Sequence, residues 1–517
     1  MDRNLAKELL KQGGFIKELI IPSNLTGGTG LCNPSVLIDG ESIKLNLRHV
    51  EYTLYHAEDS RYLISIWGKL AYLNKENDCR LKTNNYLCEL NSDTLEIDSY
   101  QLVDMALDQT PIWEFVGLED ARLVKWDNKL YMCGVRRDTT TNGQGRIELS
   151  EIVNNKEVSR HRISPPNNED TYCEKNWMPI LDMPFHFIRW ANPLQIIKVD
   201  LETNTSEIVI EKNDKLKLDR ELRGGSNVVS IGDYKLAITH EVDLWFNEVN
   251  QKNAIYYHRF MLWDKDWNLT TISGEFSLLG ADIEFISGMA VKGTDLLITF
   301  GYQDNAAFIL NIPIKSVEKY LEVDITLHSE VNTNKTEDLL LNFVNDYRNY
   351  NANIELADKY FKEGQFASAF SFYIKAFDYT EIKEKKVDCL LMMGKCLKNQ
   401  KDREKTELGI YKQALALMPN NAKVYFALSQ YYEYKKEWFE AYTYASMGCK
   451  FDNYLENNQS LLEFPSGYGL MFQKAVAAWW VGKIDECKTL FKLLSQRADL
   501  NARYKDLVET NIRNIFK

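Results

Sequence analysis

One unit recurs through roughly the first 300 positions: a β-rich run, a two-residue turn and a second β-rich run. It appears as SVLIDGESIKLNLRHV about Asp39-Gly40, RLVKWDNKLYMCGV about Asp127-Asn128, HFIRWANPLQIIKV about Asn192-Pro193, NVVSIGDYKLAITH about Gly232-Asp233 and MAVKGTDLLITFG about Gly293-Thr294. β-Branched and aromatic residues on both sides of a turn pair are the mark of a hairpin. Five such hairpins constrain the chain strongly. Small sheets leave exposed edges, which are stable only when a closed ring or a second sheet protects them. The repetition favours an all-β five-bladed propeller over residues 1–328, with a large β-sandwich as the alternative.

The texture changes near residue 330. Ser329 to Asp346 is a polar junction leading into a helix, so 329–349 reads as a linker and 350–517 as an all-α domain. Small residues recur at Ala357, Ala369, Ala376, Ala414, Ser429, Ala441, Gly448 and Ala475, and Ala414 to Gly448 spans 34 residues. That is the period of the tetratricopeptide repeat, whose small residues let helices approach closely; an unrelated helical bundle is the alternative. A solenoid offers a concave surface, so a protein partner is expected here. The aromatic runs YYEYKKEW and AAWWVG are either part of that surface or inter-helix core. If the tail only recruits, deleting residues after about 345 leaves the chemistry of the first half intact.

The net charge of −12 makes non-specific nucleic-acid coating a poor expectation. No stretch reaches the roughly 18–20 apolar residues that span a bilayer. The opening MDRNLAKELLKQGGF has no apolar signal core, and the nine cysteines are scattered without a C-x-x-C pair. A cytoplasmic protein with free thiols is the expectation. Asp264-Lys265-Asp266 has metal-motif spacing but sits in WDKDWN, which reads as a blade-edge turn, so no metal is expected.

Polar clusters lie beside the hairpin strands: Asn33-Pro34-Ser35, Arg48-His49, Glu119-Asp120-Ala121-Arg122, Arg136-Arg137-Asp138, Arg146, Glu174-Lys175-Asn176-Trp177, Arg223-Gly224-Gly225-Ser226, His240-Glu241 and Gly301-Tyr302-Gln303-Asp304. The inner strands of a propeller line one axial pocket, so these groups are expected to converge. Buried charge is costly unless paired or used. Individual clusters also have structural readings. Asp120 and Arg122 fit an ion pair, Arg136-Arg137-Asp138 a solvated turn, His49 a satisfied core histidine and Trp177 a core ring. The glycines after Arg223 fit either an anion nest or a bulged blade entry.

GLEDARLV followed by a hairpin, RIELSEI, EKNWMPI and a later G-D-Y-x(4)-T-H together resemble the five-bladed propeller phosphorylases and glycosidases acting on β-mannosides, and the related mannosyltransferases. The likeness spans about residues 30–315; Ala121 stands where the family commonly has Pro, and Glu241 where a Gly is expected after the His. The resemblance implies an inverting reaction with Asp120 as general acid acting through a sugar hydroxyl. Glu119 and Arg122 are the sugar contacts it implies, and the convergence of the polar clusters adds Arg48, Asn176, Arg223 and Asp304. Arg136, Arg146, Lys175 and His240 would hold phosphate. No cofactor is implied; inorganic phosphate or a sugar phosphate is the co-substrate.

A general acid needs a raised pKa, and phosphate needs several cationic donors. An inverting hydrolase would instead need a second carboxylate, for which Glu241, Glu284 and Asp304 are available. The chain therefore reads as a glycoside phosphorylase or glycosyltransferase for mannose-type glycosides. The alternatives are an inverting hydrolase, or an inactive glycan-binding propeller whose helical tail recruits a transferase.

Overall fold

The computed structural model describes residues 3–58, 70–213, 215–246, 252–323, 335–452, 462 and 464–515. They fall into two compact units, one running through Phe372 and one from Tyr373 to Lys517.

The first unit is a five-bladed β-propeller. Each predicted turn pair joins two neighbouring strands of one sheet. Blade I holds Leu31–Asp39, Ser42–Val50, Leu81–Leu90 and Ile97–Leu102, and blade II holds Glu119–Trp126, Lys129–Arg136, Arg146–Val153 and Lys156–Arg162. Blade III is Met178–Pro179, His186–Ala191, Leu194–Asp200 and Thr205–Glu211; blade IV is built on Arg223–Gly224, Tyr234–Phe246, Lys252–Asp264 and Leu269–Ile272. Blade V takes Glu284–Lys292, Asp295–Tyr302 and Ala306–Pro313, and its fourth strand comes from the other end of the unit. Phe15–Glu18 pairs antiparallel with it, Phe15 opposite Asn311 and Glu18 opposite Phe308. This closes the ring and covers the edge of a wholly buried strand. The turn Asp127-Asn128 shows why the hairpins form where they do. Both residues take positive φ (50° and 61°), which Asp and Asn tolerate and which matches the twist of the flanking strands.

Apolar residues fill the space between blades. Between blades II and III, Trp126 meets Phe187 edge-on at 5.4 Å and lies 5.2 Å from Phe185. Burying each such ring is worth about 1.5–3 kcal/mol. Trp177 belongs to this core, 2% exposed, with its indole N–H donated to Glu174 at 2.9 Å.

The boundary of the unit differs from the sequence reading. Residues 329–334 of the predicted linker lie outside the described residues. Helix Asp338–Asn345, helix Tyr350–Lys362 and the first half of Phe366–Asp378 belong to the propeller's own unit rather than to a detached tail. The reason is a set of buried polar bonds. The Asn305 side chain accepts from Leu54 N–H at 2.9 Å and donates to Leu54 C=O at 2.8 Å and to the Ser371 hydroxyl at 2.7 Å. Ser368 donates to the Asn305 carbonyl at 2.8 Å, and Gln365 to the Ile21 carbonyl at 2.8 Å. Tyr302 stacks on Phe372 at 5.2 Å. Removing everything after 345 therefore strips the support from the loop that carries Asp304. Asn305→Leu keeps the volume but leaves buried amide groups without partners, each costing about 1–3 kcal/mol. The expected outcome is a lower urea midpoint with an unchanged denaturant slope; an unaltered midpoint would show the network to be dispensable.

The second unit is helical throughout its described elements. Helices Lys383–Asn399, Glu404–Leu417, Ala422–Tyr434, Trp438–Gly448, Gly469–Trp480, Ile484–Ser495 and Ala502–Ile515 pack on one another in chain order. Small residues sit at the closest approaches: a Cβ on Gly448 would stand 2.5 Å from that of Tyr425. The aromatic runs divide. Tyr431 and Tyr432 are buried, whereas Tyr434 and Trp480 are 66% and 59% exposed. No described helix is long and apolar enough to cross a membrane.

Candidate functional site

The propeller encloses a cup of about 290 Å³ lined from all five blades. Asn33 and Arg48 come from blade I, Glu119, Asp120 and Arg137 from blade II, Lys175 and Asn176 from the entry to blade III, Arg223, His240 and Tyr256 from blade IV, and Phe285 and Asp304 from blade V. Groups 271 positions apart in sequence thus share one chamber.

Neighbouring residues on a strand ordinarily face opposite ways, yet Glu119 and Asp120 both enter the cup. A β-bulge accounts for this: Arg122 pairs with Cys133 and Glu119 with Val135, leaving one extra residue on the inner strand. Asp120 takes φ 49° in that bulge. Asn33, Asn176 and Asp304 are also left-handed, at 44°, 61° and 49°. Such backbone costs energy and clusters where a chain must aim side chains at a ligand. Gly301 permits the turn at Asn33, because a Cβ there would stand 2.1 Å from Asn33 Oδ1.

The charges are arranged about Arg48. Its Nη1 donates to Asp120 Oδ1 at 2.7 Å, its Nε and Nη2 both reach the Thr83 hydroxyl, at 3.2 and 3.1 Å, and Glu119 lies 3.9 Å away. Asn33 Nδ2 donates to the same Asp120 oxygen at 2.8 Å. Burial alone would push the Asp120 carboxyl up, but Arg48, Arg122, Asn33 and Lys175 outweigh it and hold it below the usual carboxylate range. Glu119 and Asp304 go the other way. Burial raises both, Arg48 only partly opposes it, and the charge of Asp120 raises them further. Tyr52 also reaches Asp304, at 3.4 Å. Burial, with the nearby cations, pushes the His240 imidazole well below its usual range, so it stands neutral between the rings of Tyr256 and Phe285. Its Nδ1 is buried without a hydrogen-bond partner among the described residues.

Of the predicted residues, Arg48, Glu119, Asp120, Lys175, Asn176, Arg223, His240 and Asp304 meet in the cup. Arg122, Arg136 and Arg146 are not among its lining residues. Arg122 is a buried clamp, donating through Nε and Nη2 to the Gly225 carbonyl at 3.2 and 2.7 Å and through Nη1 to the Asp120 carbonyl at 2.8 Å. Those bonds engage the Gly225 carbonyl, and the Ser226 N–H donates to the Ile238 carbonyl at 2.9 Å, so the Arg223–Ser226 segment is a blade entry tied into its sheet. Arg136 points away from the axis into an ion network with Glu148 at 2.8 Å, Asp108 at 2.9 Å and Asp138 at 3.4 Å. Alternation gives the cup its neighbour Arg137 instead. Arg146 donates to the Gly145 and Thr171 carbonyls, both at 2.8 Å, and lines a separate cavity with Arg162 and Asp170.

The requirement that Asp120 have a raised pKa is also corrected, since its cationic neighbours lower it. Two of the three candidate second carboxylates are occupied elsewhere. Glu241 is buried against Arg220 and Arg259. Glu284 accepts backbone N–H groups of Leu278, Leu279 and Ala281 at 2.6, 3.0 and 2.8 Å. His49 is a satisfied core group, bonded to the Thr29 hydroxyl at 2.7 Å. Asp264 accepts the N–H groups of Asp266 and Asn268 within its own turn. Sequence reasoning named Arg137 within its cluster but gave the site role to Arg136, and it missed Tyr52, Tyr72, Tyr256 and Phe285; only the alternation along blade strands signalled the last two.

No family model matches the chain, and no curated protein matches it. Solved structures similar to it include a β-1,2-mannobiose phosphorylase from Listeria innocua, at 12% identity and a TM-score of 0.36, covering 57% of this chain and 93% of that one. A mannose phosphorylase from Leishmania mexicana in complex with phosphate ion matches at 12% and 0.34, covering 62% and 93%. A GDP-Man-dependent mannosyltransferase from Leishmania mexicana matches at 13% and 0.34, covering 61% and 94%.

Proposed function

We propose that the propeller is a carbohydrate-active enzyme that transfers a mannose-type glycosyl group between an anomeric phosphate and an acceptor hydroxyl, with inversion. The observation that carries the reading is the charge pattern of the cup. Four cations, Arg48, Arg137, Lys175 and Arg223, line it with three carboxylates, two of which are pushed toward the neutral form. A cup with surplus positive charge suits a phosphate dianion better than a water molecule awaiting deprotonation. The GLED-x-R motif resemblance points the same way.

The lowered pKa of Asp120 selects its role. An ionised carboxylate is a base, so Asp120 takes the acceptor hydroxyl proton, directly or through a sugar hydroxyl, as the acceptor oxygen attacks the anomeric carbon. The bond from that carbon to the phosphate oxygen breaks, and the leaving phosphate is received by Lys175 and Arg223. Run backwards, protonated Asp120 is the acid of phosphorolysis, and its low pKa makes that direction slower at neutral pH. Glu119 and Asp304, whose carboxyls burial pushes up, line the cup where they can hydrogen-bond sugar hydroxyls. His240 contributes a neutral imidazole rather than a charge.

Lys175 tests the phosphate assignment. Its side chain is exposed and forms no hydrogen bond or ion pair among the described residues, so Lys175→Ala leaves the fold intact. Losing one charge-assisted contact weakens binding of inorganic phosphate and mannose 1-phosphate by about 10-fold or more. Unchanged phosphate affinity would remove Lys175 from the site. Sugar release by the wild type that proceeds without phosphate would favour the hydrolase, with Asp304 or Glu119 activating water. Sugar binding without turnover would favour the inactive module.

A further inference from the structure

Blade IV is built differently from the others. Its strand Tyr234–Phe246 has 13 residues, whereas the corresponding strands of blades I, II and V have 9, 8 and 8. At roughly 3.3 Å per residue, four extra residues carry the hairpin about 13 Å past its neighbours. The overhang is two-faced. On one face Glu241 and Asp243 are tied to Arg220, and Trp245 follows them, 40% exposed. The other face starts from His240 in the cup and continues through Val242, Leu244 and Phe246. Opposite them on the partner strand stand Tyr256, beside Val242, and Ala254, beside Leu244.

Val242, Leu244 and Ala254 line the cup together with Leu54, Leu70 and Ile283. Leu244 and Phe246 are nevertheless 52% and 57% exposed. A hairpin leaving the body of a fold is ordinarily polar on both faces. Here the face continuous with the cationic cup is apolar from Val242 to Phe246.

Resting on the transfer reading above, we propose that the acceptor carries an alkyl aglycone, with its sugar hydroxyl at Asp120 and its chain along Val242, Leu244 and Phe246. Continuity decides the occupant. The stripe is one wall of the chamber that holds Asp120, so whatever covers it is joined to what reacts there. A free oligosaccharide would leave this wall wet and gain nothing from it.

The experiment is calorimetry on the full chain with methyl and octyl mannosides below the micellar range, in the presence of inorganic phosphate. Burying two methylenes suffices for about tenfold in affinity, so octyl mannoside binds at least about 10-fold tighter than the methyl glycoside. Leu244→Asp, at an exposed position, narrows that ratio to below about threefold. Equal affinities for the two glycosides in the wild type would overturn the proposal while leaving the transfer reading standing. An undiminished octyl preference in Leu244→Asp would place the chain elsewhere and overturn it too. If phosphate binds and neither mannoside does, the transfer reading itself fails, and the proposal with it.

Discussion

If the proposed transfer holds, Asp120→Asn is expected to lower kcat with mannose 1-phosphate and an acceptor by about 10³-fold, within the range expected for a lost general base. The substitution is conservative in shape. Asn33 and Arg48 both donate to Oδ1 of Asp120, and an amide oxygen accepts those same bonds. What disappears is the capacity to take a proton. Phosphate binding therefore survives while turnover does not, and the two are separated by calorimetry beside a phosphate-release assay. Turnover at the wild-type rate would dismiss Asp120 from proton transfer. The pH dependence has a definite sign. Cationic neighbours hold the Asp120 carboxyl low, so its ionised form, and with it the rate, is lost only as pH falls through a value below the ordinary carboxylate pKa of about 3.9. The stability this group contributes is present above that ordinary value and lost over the same fall.

The fold was legible because its signal is local. Asp39-Gly40, Asp127-Asn128 and Gly232-Asp233 announce turns by their own backbone preferences, so each hairpin could be read without its neighbours. The closing strand Phe15–Glu18 has no such signal, because its partner lies almost 300 residues away. The site was legible as a set of motifs but not as a set of directions. Arg136 and Arg137 are equivalent in sequence, and only the phase of strand Lys129–Arg136 sends the first outward to Glu148 and the second to the cup. Asp120 shows the complementary failure. Its role as acid came from the motif resemblance; the raised pKa expected beside it did not follow, because the sign of the shift depends on Arg48, 72 positions away. The helical boundary was misplaced for a similar reason: helical periodicity marks where Tyr350–Lys362 begins but not that the following helix is bonded to Asn305.

Arg48→Met destabilises the propeller at neutral pH by about 3–5 kcal/mol, the usual result of removing one partner from a buried ionic cluster. The Arg48 side chain is 6% exposed, and its charge opposes the upward push of burial on Asp120, Glu119 and Asp304 alike. Without it Glu119 and Asp304 lose the largest charge opposing their burial and rise further above their unfolded values, and Asp120 loses the largest of the groups that hold it down. A group with a raised folded pKa contributes its full stability below the unfolded value and loses it as pH rises through the folded one. The deficit of the variant is therefore largest at neutral pH and shrinks on acidification. Urea unfolding at pH 7 and pH 5 distinguishes this from a packing defect, which would give the same deficit at both. Arg48→Lys separates charge from geometry. An ammonium restores much of the pH dependence, but it cannot reach Thr83 through two nitrogens while a third holds Asp120. The Lys variant is accordingly expected to regain stability ahead of turnover. Recovery of both in parallel would mean that Arg48 acts as a charge alone.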